Sequence, residues 1–203
     1  MARPRRADHL TKKAKRENYP ARSIYKLEEI DQRLHLLKPG QKVLDLGAAP
    51  GSWTLYASKR VGPGGKVVSV DIAPLGIPVP ANVLPLSLDM LETGPESLLR
   101  ASSVERFDLV ISDMAPSTSG HRLVDQQRSL RLFLAALETA GAVLRPGGGF
   151  VGKIFQSEDM DAARKRIRDL FEEERVIRPR GTRTESTEVY LVGLGRKFEM
   201  QCP

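Results

Sequence analysis

The sequence predicts an α/β domain built on a mostly parallel, doubly wound sheet, and two observations carry that expectation. Short apolar runs alternate with amphipathic stretches along most of the chain. The runs are nearly continuous in Val, Ile and Leu, as strands covered on both faces are.

Taken in order, residues 1 to 20 are polar and basic, without clear periodicity, and end at Pro20. They read as a flexible arm, mobile unless a partner or the domain body holds them. From Arg22 to His35 a helix is expected, because Ile24, Leu27, Ile30 and Leu34 recur at helical spacing. Arg22, Lys26 and Arg33 share another face of it, open to phosphate or to water.

After the turn "KPGQ" the expected strands are "KVLDLG" (42 to 47), "KVVSVD" (66 to 71), "NVLPLSLD" (82 to 89), "FDLVISD" (107 to 113), "GGFVGKIF" (148 to 155) and "STEVYLVGL" (186 to 194). A shorter strand is expected over 175 to 178. Helices are expected over 51 to 60, 94 to 103, 121 to 144 and 158 to 173. The third places Leu130, Phe133, Leu134, Leu137 and Leu144 on one side. The whole reads as one domain over residues 21 to 195, followed by a tail, residues 196 to 203.

Composition narrows the class. With 40% hydrophobic and 28% charged residues the chain is an ordinary globular protein rather than a disordered or membrane-spanning one. The N-terminus is too basic and too poor in apolar runs for a secretory signal, so a cytoplasmic location is expected. Cys202 stands alone, and His9, His35 and His121 lack ligand spacing, so no disulfide and no metal site are expected. The formal charge of +7 is concentrated: residues 1 to 38 hold eleven Lys or Arg against five acids, while the rest holds 21 against 20. A basic arm on a neutral body suits a phosphate-bearing partner, either nucleic acid or an anionic membrane.

Ligands of an open parallel sheet bind beyond the carboxyl ends of its strands. Asp45, Asp71, Asp89, Asp113 and Lys153 all fall at or near such ends, so five polar groups are expected on one rim. The loop "DLGAAPGSW" (45 to 53) joins a strand to a helix, and its glycines allow close approach of a cofactor to the backbone. It lacks the G-x-G-x-x-G spacing of dinucleotide sites, and Pro50 removes an amide that a pyrophosphate would use. Asp71 lies 24 positions beyond Gly47, where a carboxylate meets ribose hydroxyls, and Asp89 adds a further acid. A glycine loop and two acids without a phosphate cradle suit S-adenosylmethionine better than NAD. Singly, Gly47 and Gly51 also read as turn residues and Trp53 as a packing residue.

"RSIYKLEEI", "VLDLGAAPGSW", "VSVDI", "DLVISDMAPSTSG", "GGFVGKIFQ" and "TRTESTEVYLVG" together resemble the FtsJ/RrmJ family of ribosomal RNA large-subunit 2′-O-ribose methyltransferases, in order from about residue 22 to 195. The resemblance implies a Rossmann-like S-adenosylmethionine-dependent methyltransferase fold whose last strand is antiparallel. It implies a catalytic tetrad at Lys26, Asp113, Lys153 and Glu188, with Lys153 as general base. It also implies cofactor contacts at Gly51, Trp53, Asp71, Asp89 and Asp113, to which the glycine loop adds Asp45 and Gly47. The implied partner is ribosomal RNA within the large (50S) subunit, methylated on a uridine of 23S rRNA.

Methylating a ribose hydroxyl explains a lysine inside an apolar strand. The hydroxyl is a very weak acid, so the reaction needs a base within hydrogen-bond reach, and a lysine serves only without its extra proton. Burial and a second ammonium, Lys26, favour that state, whereas Asp113 and Glu188 oppose it. Other functions stay open: a tRNA 2′-O-methyltransferase with the same tetrad, a base-amino methyltransferase, from whose Asn/Asp-Pro-Pro-aromatic loop "DMAPS" departs, and a non-catalytic RNA-binding assembly factor.

Overall fold

The apolar runs become seven strands of one sheet in the computed structural model, which describes residues 9–117, 119–180, 182 and 186–198. The strands are β1 (Lys42–Leu46), β2 (Lys66–Asp71), β3 (Val83–Ser87), β4 (Phe107–Ser112), β5 (Leu144–Phe155), β6 (Phe171–Ile177) and β7 (Glu188–Arg196). Their spatial order is β3-β2-β1-β4-β5-β7-β6. The first five are parallel, and β7 runs antiparallel between β5 and β6. The helices are α1 (His9–Arg16), α2 (Ile24–Leu34), α3 (Ser52–Val61), α4 (Pro95–Ser102), α5 (Arg122–Val143) and α6 (Met160–Leu170).

Alternation along the strands sends side chains to two cores. On one face Leu44, Leu46, Val110, Phe150, Ile154, Val189 and Leu191 pack against α4, α5 and α6. On the other, Val43, Val67, Ile111, Val151, Tyr190 and Val192 meet Leu27 and Ile30 of α2 and Trp53 and Ala57 of α3. Parity therefore puts Asp45, Asp113, Lys153 and Glu188 on the α2/α3 side. Asp31, almost fully buried in α2, accepts bonds from the Tyr56 hydroxyl at 2.9 Å, Arg60 Nε at 3.1 Å and the Leu37 amide at 2.8 Å. This carboxylate fixes α2 against α3.

Five elements differ from expectation, among them β5, which begins at Leu144, expected at the end of the preceding helix, rather than at residue 148. Residues 9 to 16 are helical, where no period was read in the arm, because Leu10, Ala14 and Tyr19 pack with Ile24, Tyr25 and Tyr56 on the domain body. Lys13 and Lys59 sit over the Tyr25 and Tyr19 rings at 4.4 and 4.6 Å. The arm before residue 9, the tail beyond residue 198 and Cys202 lie outside the described residues. The last expected helix ends at Leu170 rather than 173, since Phe171 to Glu174 pair with β7 and pairing overrides the helical preference of three glutamates. Strand β3 stops at Ser87, so Asp89 sits in the following loop. Finally, β7 runs to Arg196, whose guanidinium donates to the Gly141 carbonyl.

A bare strip under the second core's opposite face explains two strand glycines. Phe133, Phe150 and Phe171 form a ring cluster with centroids 5.7 and 6.3 Å apart. A Cβ on Gly193 would stand 2.5 Å from the Phe171 ring, and one on Gly152 would stand 2.5 Å from Phe150. A buried ring cannot swing aside as a flexible surface chain can. Gly193→Ala should therefore lower the unfolding free energy by about 1–3 kcal/mol, read as a reduced urea midpoint at unchanged slope.

Candidate active site

Two ion pairs stand on the α2/α3 face at the carboxyl end of β5. Lys153 Nζ donates to Asp113 Oδ1 at 2.9 Å and also to the Asp113 carbonyl. Lys26 Nζ lies 2.5 Å from Glu188 Oε1. The register of β5 with β7 sets Lys153 opposite Tyr190 and Phe155 opposite Glu188, which brings the two pairs side by side. All four side chains are at most 17% exposed, so the pairs are largely withdrawn from water. Lys26 does not lie on a solvated face with Arg22 and Arg33; it turns inward to its partner on the sheet.

A separate cavity of about 400 Å³ opens at the ends of β1, β2 and β4 and is lined by Gly47, Asp71, Asp89, Met90 and Asp113 among others. Asp71 clasps the glycine loop, with Oδ2 accepting from the Ala49 amide and Oδ1 from the Ala73 amide, both at 2.9 Å. Asp89 accepts the Leu91 amide at Oδ1 at 2.8 Å, and among the described residues no donor meets its Oδ2. Gly47 has φ +73°, and a Cβ there would meet Met114 Cγ at 2.4 Å, so only glycine lets the loop lie this close to the cavity wall. Gly51 has φ +108° and starts α3.

The remaining expected residues stand elsewhere. Trp53 is buried, donates its indole N–H to the Ser23 carbonyl at 2.9 Å and rests on Tyr190 with centroids 5.7 Å apart. Any ligand contact of Trp53 would thus come from its backbone. Asp45 is fully buried below the rim, accepting the Thr54 hydroxyl at 2.6 Å. The five polar groups expected on one rim therefore divide: Asp71, Asp89 and Asp113 share the cavity, Lys153 stands behind Asp113, and Asp45 lies beneath. Tyr190, not singled out in the sequence, donates its hydroxyl to Asp113 Oδ1 at 2.7 Å. Its only sequence signal was sharing a strand face with Glu188.

With the geometry set, comparison with known proteins decides the family. The family model described as FtsJ-like methyltransferase matches residues 19–196. The chain belongs to the FtsJ-like methyltransferase family. A "Ribosomal RNA large subunit methyltransferase E" from Sorangium cellulosum is 52% identical over 193 residues, covering 95% of this chain and 90% of that protein. One of the same name from Oleidesulfovibrio alaskensis is 48% identical over 190 residues, covering 94% and 92%. Among solved structures, a ribosomal RNA methyltransferase from Plasmodium falciparum superposes with a TM-score of 0.75 at 23% identity, covering 88% of this chain and 98% of that one. Aeropyrum pernix fibrillarin, in complex with natively bound S-adenosyl-L-methionine, superposes with a TM-score of 0.58 at 20% identity, covering 78% and 68%. At those identities the two structures speak for the fold alone. No helix among the described residues of this FtsJ-like methyltransferase is long and apolar enough to cross a membrane.

Asp45 gives the stability of the fold a pH dependence. Burial pushes its carboxyl up to about 7, helped by the charges of Asp113 and Asp71 and opposed by the Thr54 bond. Its Oδ1 and the Ser69 hydroxyl, paired in register on one face, are both buried without partners. The folded state holds a proton here that the unfolded chain has released above its ordinary value of 3.8. Native protein thus binds more protons between those two values, and stability falls as pH rises through the window, by a few kcal/mol at most. Asp45→Asn keeps an acceptor for Thr54 and offers an amide to Ser69. Urea unfolding from pH 4 to 8 should show this falling component in the parent chain and its absence in the variant.

Proposed function

We propose that the chain methylates the 2′-hydroxyl of a ribose, a uridine of the large-subunit 23S rRNA, from S-adenosylmethionine, with Lys153 as general base. The observation that carries the reading is Asp113, which lines the cofactor-sized cavity and also holds the buried lysine. One residue thus joins a place for a methyl donor to a place for a base.

The cavity's residues fit that donor. Its volume lies in the usual range of about 300–1,000 Å³ for small-molecule sites. Asp71, Asp89 and Asp113 make it anionic, which suits a ligand bearing a sulfonium and an ammonium and repels a pyrophosphate. When bound, S-adenosylmethionine supplies a methyl group on a cationic sulfur. Asp71 and Asp89 would hold its hydroxyls through lone pairs left free by the loop amides. Lys153, directed by Asp113, would take the hydroxyl proton as the new O–C bond forms and the methyl's bond to sulfur breaks, the electron pair staying on sulfur as a neutral thioether. Lys26, held by Glu188, would steer the nucleotide. A neutral amine is required at Nζ for it to accept that proton.

Ribosomal RNA as partner is supported by the names of the relatives and by the basic end of the chain. Lys12, Lys15 and Arg16 are exposed on α1, which the tyrosine contacts hold against the body. Such cations neutralise phosphates and set register, while the 2′-hydroxyl marks RNA.

Incubation with labelled cofactor and intact large subunits, followed by mapping of the label, tests the reading. Label on a ribose is expected; label on a base, or none on any RNA despite cofactor binding, overturns it. Lys153→Ala should abolish transfer while cofactor affinity changes less than about two-fold. When chemistry limits, the parent's rate should rise with pH as the amine loses its proton, and a flat profile removes Lys153 as the base.

A further inference from the structure

Asp113 Oδ1 accepts from two donors, Lys153 Nζ at 2.9 Å and the Tyr190 hydroxyl at 2.7 Å. Tyr190 is fully buried and lies opposite Lys153 in the β5–β7 register. Its ring rests on Trp53, whose indole donates to the carbonyl of Ser23, the cap residue just before α2 and about one turn ahead of Lys26. The hydroxyl therefore ends a chain of contacts running from the start of α2 to the catalytic carboxylate.

Resting on the proposed ribose methylation, we infer that Tyr190 is a positioning residue that shares the charge of Asp113. By donating to Oδ1 it fixes the carboxylate between cavity and lysine, and it draws off part of the negative charge that would otherwise hold the proton on Lys153. A carboxylate with one fewer hydrogen-bond donor binds an ammonium more firmly. Burial and the charges of Asp113 and Glu188 push the Tyr190 phenol well above its ordinary value, so it stays a donor throughout the working range. Among the described residues, the other titratable groups facing this cluster are Lys26 from α2, Glu188 from β7 and Asp45 from β1. A change at the phenol oxygen leaves all three in place.

Tyr190→Phe keeps the ring on Trp53 and removes only the donor. Single-turnover ribose methylation should then rise with pH about one unit later than in the parent chain. That displacement appears as an approximately ten-fold loss of rate at neutral pH, which closes at high pH. KM for large subunits and cofactor affinity should change less than about two-fold, and thermal unfolding confirms that the variant folds. An unmoved profile, or a loss equal at every pH, overturns the inference. Should the phenylalanine variant fail to fold, 3-fluorotyrosine at position 190 keeps the hydroxyl and makes it a stronger donor. The profile should then move to lower pH, and an unmoved one overturns the inference. Absence of ribose methylation by the parent chain overturns the proposed function and this inference together; ribose methylation with an unmoved Tyr190 profile overturns this inference alone.

Discussion

The antiparallel pairing of β7 with β5 is the constraint from which the candidate site follows. It sets Lys153 opposite Tyr190 and Phe155 opposite Glu188, although these residues lie more than thirty positions apart in the chain. A slip of one residue would turn Glu188 and Tyr190 into the core against α5 and α6, leave Lys26 without its partner and take the Tyr190 hydroxyl from Asp113. Register is held from the other face by Val189 and Leu191, which pack in that core, and by Phe171 over the bare backbone of Gly193. The apolar face of β7 thus decides where its polar face delivers charge.

Burying two ion pairs is costly, since each charge loses water before it gains a partner. Lys153 recovers hydrogen bonds from both the side chain and the carbonyl of Asp113, and Lys26 finds Glu188 at close range. A pair of apolar residues would fill either position at lower cost in stability. Their presence beside a cavity lined by three carboxylates is better understood as placement of chemistry than as reinforcement of the fold. Asp45 fits the same pattern, being a carboxyl buried beneath the glycine loop with one oxygen unpartnered.

The chain's basic end joins this arrangement through aromatic contacts rather than through salt bridges alone. Tyr19, Tyr25 and Tyr56 enclose Ala14 and Ile24, so α1 stands beside α2, the helix that carries Lys26. Asp31 then fixes α2 to α3 through Tyr56 and Arg60. Basic surface and candidate site are therefore parts of one packed stack of helices on the sheet.

Strand and helix order was legible in the sequence because buried parallel strands are continuous in Val, Ile and Leu and their covering helices repeat at 3.6 residues. Alternation also placed Glu188 on the face of Tyr190 and opposite Val189. Helix α1 was not legible, because two apolar residues, Leu10 and Ala14, carry its packing and the period is too short to detect. Of β6 only the end was legible, as a strand over 175 to 178, because the glutamates before it favour a helix until β7 offers backbone partners. By itself the sequence determined the doubly wound sheet, the glycine loop and the family motifs, all of which are local patterns. Only the tertiary structure decided that Asp113 serves cavity and lysine together, that Tyr190 shares its oxygen and that Trp53 and Asp45 lie beneath the rim. Those facts depend on distances between strands, which local pattern does not encode.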